Sequence, residues 1–489
     1  MGNSSQANSI HILDNDSLLN IFYLYRPAIL DGDENENEFI TGGKDWDRER
    51  WWYRLAHVCK RWRILLLAST SYLGLSLVCT YGTPVADMLA HSPPLPLLID
   101  YFNQDRNFTA EDEAGMILAL QQRGRIRRIR LVVPVPSLLK IILAIDEEFP
   151  ILEYLIIMPP TENRNTPLIF PETFRAPRLR HLLLEDFTLP IGSPLLTTAM
   201  GLVTLCLFIT HPSAYFQPNT LHQWLSSMPQ LDTFWVSFSF PSLSHDVEAQ
   251  VSHAPIMTHI TLPNLRWFVF RGVSAYLDAL VRRITAPRLE KLQIEFFEQL
   301  TFSIPGLMQF IGSAENLRFD SADFEFSDRR VRVELYHREV EACVFSTRVY
   351  CWHLDWQVSS VAQIFNSISQ ISSAVEHLTL RHKVHGLSPE EHNEVDHAEW
   401  RRLIRSFSNV KTLSVDDGLV EELSRFLRLD EGESPSELLP ELQELICSGS
   451  AFTSFIHARQ IAGSPVALVR PNISPVTPRL RSPSPGFPE

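Results

Sequence analysis

Five histidines, His377, His382, His385, His392 and His397, crowd one stretch of the chain. Imidazoles so close together suggest a zinc ion, but cysteine partners at ligand spacing are missing, so solvated histidines with no metal are expected. Arg123, Arg125, Arg127, Arg128 and Arg130 alternate with Ile126, Ile129 and Leu131. Guanidinium groups pair bidentately with phosphate, so an anionic peptide could dock there. The simpler reading is the solvated face of a strand. There is no Gly-rich phosphate loop, no H-E-x-x-H and no G-x-S-x-G. With no pair of catalytic residues to name, the expectation is a chain that is not an enzyme and needs no cofactor.

The wider composition narrows the classes further. The 489 residues carry 57 Asp and Glu against 43 Lys and Arg, a net charge of −14. That balance argues against nucleic acid, because phosphate binding needs clustered cations. At 45% hydrophobic and 20% charged the chain is globular, and it is too long for one core without domains or repeats. Six cysteines lie at wide spacing with no C-x-x-C pair, as expected of reduced thiols. The polar opening MGNSSQANSIH is not a signal peptide. Gln6 stands where a myristoylation motif wants Ser or Thr. The longest apolar stretch, residues 64–78, is too short and too interrupted to span a bilayer. An intracellular protein, cytoplasmic or nuclear, with no membrane contact is expected.

The elements that would position any site begin with helices. Asp14 or Asn15 can cap a helix carrying Leu18, Ile21, Phe22 and Tyr25, which Pro27 stops. An acidic run, DGDENENE, follows within a loop at 31–45. A second helix is predicted from about Asp47, with Leu55, Val58, Cys59, Trp62, Leu65 and Leu66 on one face. The run Leu13-Asp14-Asn15-Asp16-Ser17-Leu18-Leu19-Asn20-Ile21-Phe22, followed by Val58-Cys59-Lys60-Arg61-Trp62-Arg63, resembles an F-box. Residues 77–80 and 88–99 extend the likeness to the F-box families of fungi. Asp14 replaces the usual proline, and Gly74 stands where a tryptophan is common.

Beyond residue 120 the chain repeats one phrase: apolar, two residues, apolar, one residue, apolar. It occurs at Ile126-Ile129-Leu131, Leu152-Leu155-Ile157, Leu179-Leu182-Leu184, Leu202-Leu205-Leu207 and Leu231-Phe234-Val236. It returns at Leu265-Phe268-Phe270, Leu289-Leu292-Ile294, Val375-Leu378-Leu380, Val410-Leu413-Val415 and Leu442-Leu445-Cys447, with weaker copies near Leu317 and Val349. Pro150, Pro177, Pro229, Pro263, Pro287 and Pro440 each stand two residues ahead of a phrase, ending a helix and starting an extended segment. Such strand-then-helix units bury their apolar side only by stacking, as in leucine-rich repeats. The Asn or Cys usual after the third apolar position is missing, so irregular repeats are predicted.

The expected fold is therefore α/β. A helical F-box spans 10–80 after a disordered 1–9, and a connecting segment covers 81–120. An irregular leucine-rich-repeat-like solenoid of parallel strands and intervening helices fills 121–460, ahead of a disordered Pro/Ser-rich tail at 461–489. The resemblance implies the substrate-recognition subunit of an SCF-type cullin–RING ubiquitin ligase. Leu13, Leu18, Leu19, Ile21, Phe22, Val58, Cys59 and Trp62 would meet the Skp adaptor that joins it to the cullin–RING core. An unknown client protein would meet outward strand positions, among them Arg128, Arg130, His181, Trp235, Trp267, Trp352 and His377. The alternative is a non-catalytic repeat scaffold whose helical start merely caps the solenoid.

Overall fold

The computed structural model describes residues 13–27, 49–102, 106–159, 168–190, 192–239, 258–297, 299, 301–339, 342–383, 397–427, 438–447 and 452–470. The expected disordered start at 1–9, the acidic loop at 31–45 and the tail beyond 470 lie outside them. The chain forms two compact units, one built on Met1–Asn163 and Phe170–Leu182, the other on Arg164–Ile169 and Leu183–Pro478.

The first unit opens with α1 (Asn15–Tyr25), α2 (Trp51–Ala56) and α3 (Lys60–Ala68). Asp14 caps α1, its carboxylate accepting from the Ser17 amide at 2.7 Å. The single helix expected from Asp47 is in fact α2 and α3. Cys59 is extended between them (φ −160°, ψ 168°), and its thiol accepts from the Trp62 amide at 3.5 Å. Arg63 donates to the Ala56 carbonyl at the end of α2, 3.0 Å away, which stabilises the break. Four parallel strands follow in spatial order: β1 (Leu77–Cys79), β2 (Leu97–Tyr101), β3 (Ile126–Val132) and β4 (Tyr154–Met158). Between them run α4 (Val85–His91), α5 (Ala110–Leu120) and α6 (Val135–Ala144). The segment 81–120 is thus no connector. It supplies β2 and α5, the latter opened by a capping box between Thr109 and Asp112.

Strand β5 (His181–Glu185) stands where the residues of the two units meet in sequence. The second unit continues with β6 (Thr204–Ile209), β7 (Thr233–Phe238), β8 (Trp267–Gly272), β9 (Lys291–Phe296), β10 (Ser321–Ser327), β11 (Arg330–Tyr336) and β12 (Cys343–Tyr350). It ends with β13 (His377–Lys383), β14 (Thr412–Val415), β15 (Glu444–Ile446) and β16 (Ala467–Val469). In space the order is β6, β7, β8, β9, β12, β11, β10, β13, β14, β15, β16. All neighbours pair in parallel except β12 with β11 and β11 with β10. The weak copies expected near Leu317 and Val349 are replaced by this antiparallel meander. The tail boundary at 461 also falls too early, since β16 pairs with β15.

The repeated phrase has one local structure. In the six copies that carry the proline, the first apolar residue closes a turn whose second position is that proline. Leu152, Leu179, Leu231, Leu265, Leu289 and Leu442 donate to the carbonyls of Phe149, Ala176, Met228, Leu262, Ala286 and Leu439 at 3.0–3.3 Å. Each proline therefore sits at the second turn position, where its fixed φ is already correct, rather than merely ending a helix. The second and third apolar positions enter the strand on one face. Phe234, Phe268 and Leu292 lie level across β7, β8 and β9, with the two rings stacked at 5.2 Å. Helices α7 (Pro218–Leu225), α8 (Ser274–Val281), α9 (Pro305–Gly312) and α10 (Leu354–Ser367) bury that face. Phe310 of α9 meets Phe268 edge-on at 5.6 Å, and Phe365 of α10 packs on Phe324 at 5.3 Å. Further along the unit run α11 (His397–Arg405), α12 (Asp417–Phe426) and α13 (Thr453–Ile461).

Candidate functional site

Strand alternation puts every second residue on the sheet face opposite the apolar one. In the second unit that face is charged. Arg271, Glu295, Arg348, Arg332, Glu325 and Arg381 stand level across β8, β9, β12, β11, β10 and β13. Glu295, completely buried, accepts from Arg348 and lies 3.7 Å from Arg271. Arg332 pairs with Glu334, Arg381 with Asp323 at 2.9 Å, and Lys383 with Glu325 at 2.7 Å. Each buried charge on this row has an opposite charge beside it, as low-dielectric surroundings require. The row is a structural ion-pair ladder.

Trp235 and Trp267 face the same way, as strand alternation predicts, yet they are only 3% and 7% exposed. Their rings lie 6.1 Å apart, Phe208 closes on Trp235 at 5.0 Å, and the Lys291 ammonium sits 4.9 Å from the Trp267 ring. The expectation that both lie open to a client is corrected: outward pointing does not leave a large ring exposed when neighbouring strands carry large side chains too. Trp352 is different. It follows β12 and is 60% exposed.

In the first unit the arginine run is occupied by local partners. Arg130 pairs with Asp100 at 3.3 Å and lies over the Phe102 ring. Arg128 reaches Glu49 at 3.6 Å and lies over Tyr154, and Arg127 holds Glu153 at 2.8 Å. Arg125 donates to the Leu95 and Pro93 carbonyls. A client that used Arg128 or Arg130 would have to displace these groups. His181 stacks on Tyr154 at 4.2 Å, and burial, with Arg180 and Arg128 nearby, lowers its pKa to about 4. It is therefore neutral at physiological pH. His377 lies beside Arg338, a ring nitrogen 3.2 Å from the guanidinium. His385 and His392 fall outside the described residues, and no cluster of metal-ligating side chains occurs among those described.

The helical start divides its apolar residues in two. Leu18, Phe22 and Trp62 are buried, with Phe22 meeting Trp62 edge-on at 4.9 Å. These three hold α1 to α3 and are not a surface awaiting a partner, which corrects their expected role as direct contacts. Leu13, Leu19 and Cys59 are half-buried, and Ile21 and Val58 are exposed. Arg61 locks the same packing by donating to the Leu13 carbonyl at 2.6 Å and the Asn15 side chain at 2.9 Å. Either Phe22→Ala or Trp62→Ala should therefore destabilise this region by about 3–5 kcal/mol, the usual cost of truncating a buried aromatic. Hydrogen exchange should show the loss first in α1 and α3, and unchanged protection there would contradict the packing.

Residues that the sequence reading missed also surround these helices. Tyr23, Leu24, Ile64 and Tyr72 are exposed, with Tyr23 and Tyr72 in ring contact at 5.6 Å. Their signal was their place in the amphipathic pattern, on the flank opposite the core.

No family model matches the chain, and no curated protein matches it in sequence. Among solved structures it overlaps the leucine-rich repeat-containing protein LegL7 from Legionella pneumophila, at 13% identity over 80% of this chain and 98% of that one. The TM-score is 0.23, too low for function to be carried across. No helix among the described residues is long and apolar enough to cross a membrane.

Proposed function

We propose that this chain is the substrate-recognition subunit of an SCF-type ubiquitin ligase, with an F-box-like start for a Skp adaptor and a leucine-rich-repeat-like domain for a client. The observation that carries the reading is where apolar surface is left exposed. Seven of the sixteen exposed large apolar side chains among the described residues lie in the helical start: Ile21, Tyr23, Leu24, Tyr25, Val58, Ile64 and Tyr72. Exposed apolar side chains gathered in this way mark an interaction site. The F-box resemblance names the adaptor as the partner. On this reading the chain makes and breaks no bond. It raises the client's effective concentration near the ubiquitin-transfer machinery.

The adaptor would meet Ile21 and Val58, while Phe22 and Trp62 support them from beneath. Ile21→Asp with Val58→Asp should abolish copurification of the adaptor from cells and leave the melting temperature unchanged, because both side chains are exposed. Adaptor recovered with the double variant at the parental yield would refute the ligase reading.

One observation favours the scaffold reading instead. The start of α2 and its cap residue are bonded to the first strand and the residue before it, Trp52 Nε1 donating to the Ser76 carbonyl at 3.1 Å and Arg50 to the Val78 carbonyl at 3.3 Å. A helix fixed in this way would cap the edge of a solenoid. A mere cap would bring down no adaptor with the parental chain either.

A further inference from the structure

The parallel strands end on a corner unlike the rest of the second unit. At the C-terminal end of β12, Trp352 is 60% exposed and Trp356, in the first turn of α10, is 43% exposed. The Arg329 guanidinium, from the turn between β10 and β11, lies over the Trp352 ring at 5.0 Å. His353 meets Trp356 edge-on at 5.2 Å.

The corner is held rigid from behind. The Cys351 amide donates to the Arg329 carbonyl at 3.1 Å, while Ser327 Oγ donates to the Arg330 carbonyl at 2.8 Å. The buried Gln357 side chain donates to the carbonyls of Ser327 and Cys351 at 2.5 and 3.0 Å. Two exposed indoles are therefore displayed on a fixed frame. Core packing gives no reason for that, since large aromatics left in water are unusual without a partner.

The charges at this corner point to the partner. Arg329 and Arg330 are exposed, and neither has a carboxylate within ion-pair distance among the described residues. Arg271, Arg332, Arg348 and Arg381 on the adjoining face all have one. Two aspartates share the corner. Asp328 is half-buried between the strands, and Asp355 lies in the first turn of α10 with one carboxylate oxygen enclosed. The charge most accessible to a partner is thus positive. Stacking on Trp352 also holds the Arg329 guanidinium in place, so less freedom is lost when it takes a carboxylate.

We propose that Arg329, Arg330, Trp352 and Trp356 form a docking platform for an acidic peptide segment of a protein partner. Carboxylates of the segment would pair with the two arginines, and an apolar side chain between them would lie against the indoles. The platform needs a protein partner but not the adaptor, so it stands or falls separately from the ligase reading.

The test uses the purified full-length chain and a labelled short peptide with Glu and Asp flanking a central Phe-Leu pair, followed by fluorescence anisotropy. Saturable binding that weakens as salt rises is expected. Trp352→Ala with Trp356→Ala should weaken it at least about tenfold, as should Arg329→Glu, with Arg329→Lys in between. All of these side chains are exposed, so the thermal midpoint should not move. Should the tryptophan variant nonetheless melt early, Arg330→Glu carries the same expectation. The proposal is overturned if the peptide does not saturate, if a lysine-flanked version binds equally well, or if a single-stranded oligonucleotide binds more tightly than the acidic peptide.

Discussion

Replacing Glu295 with alanine should destabilise the second unit by about 3–5 kcal/mol, because it leaves two arginines without their shared carboxylate. Glu295 is fully buried, and it alone stands between Arg271 on β8 and Arg348 on β12. Its loss leaves Arg348, itself buried, without the carboxylate it donates to. Urea unfolding followed by circular dichroism would measure the effect. Glu295→Gln should be milder, since an amide oxygen still accepts a hydrogen bond. Replacing all three residues together with apolar ones should recover much of the loss, because the desolvation penalty disappears along with the attraction. A single Glu295→Ala variant as stable as the parent would mean that the ladder contributes nothing.

An equally large effect is expected from Leu292→Asp. Leu292 is completely buried, level with Phe268 on β8 and Phe345 on β12. A carboxylate there would have no partner, and the loss should exceed about 4 kcal/mol. Stacked repeats support one another through nearest neighbours, so protection should fall together in β8, β9 and β12 rather than at one position. Leu182 and Leu205 are equally buried and should respond in the same way. Lys291→Glu, one residue away, should cost about 1 kcal/mol or less: the position lies on the opposite, half-buried side of the strand, and the contact of its ammonium with the Trp267 ring is among those it loses. Hydrogen exchange on the two variants separates these outcomes. Equal sensitivity at 291 and 292 would contradict the strand alternation.

Much of this architecture was legible because the determining interactions are local. The repeated phrase placed β3 to β9 and β13 to β15 within a few residues, since period-two apolar spacing and a turn proline act within a single short segment. The cap of α1 was legible for the same reason to within one residue, as Asp14 or Asn15, and the structure selects Asp14. The break between α2 and α3 was not. Residues 51–66 contain neither proline nor glycine, and the break depends on Cys59 and Arg63 satisfying helix ends that a continuous helix would not have. The meander β10 to β12 was missed although its signal was present: Arg330, Val331, Arg332, Val333, Glu334 and Leu335 alternate strictly.

For the candidate sites, the sequence by itself determined which residues are apolar, which alternate, and which share a face of a strand or helix. It thereby set Leu292 inward and Glu295 outward. Only the tertiary structure decided what each outward residue meets. Glu295 and Arg348 are 53 positions apart and touch only because the meander brings β12 beside β9. Trp235 and Trp267 face outward yet are enclosed by large residues on adjacent strands, whereas Trp352, at the end of its strand, is left exposed. Phe22 and Trp62 pack on each other, and that pairing leaves Ile21 and Val58 exposed. The physical reason is the same in each case. Alternation is a property of one segment's backbone, while burial and charge pairing depend on neighbours that only the folded chain brings together.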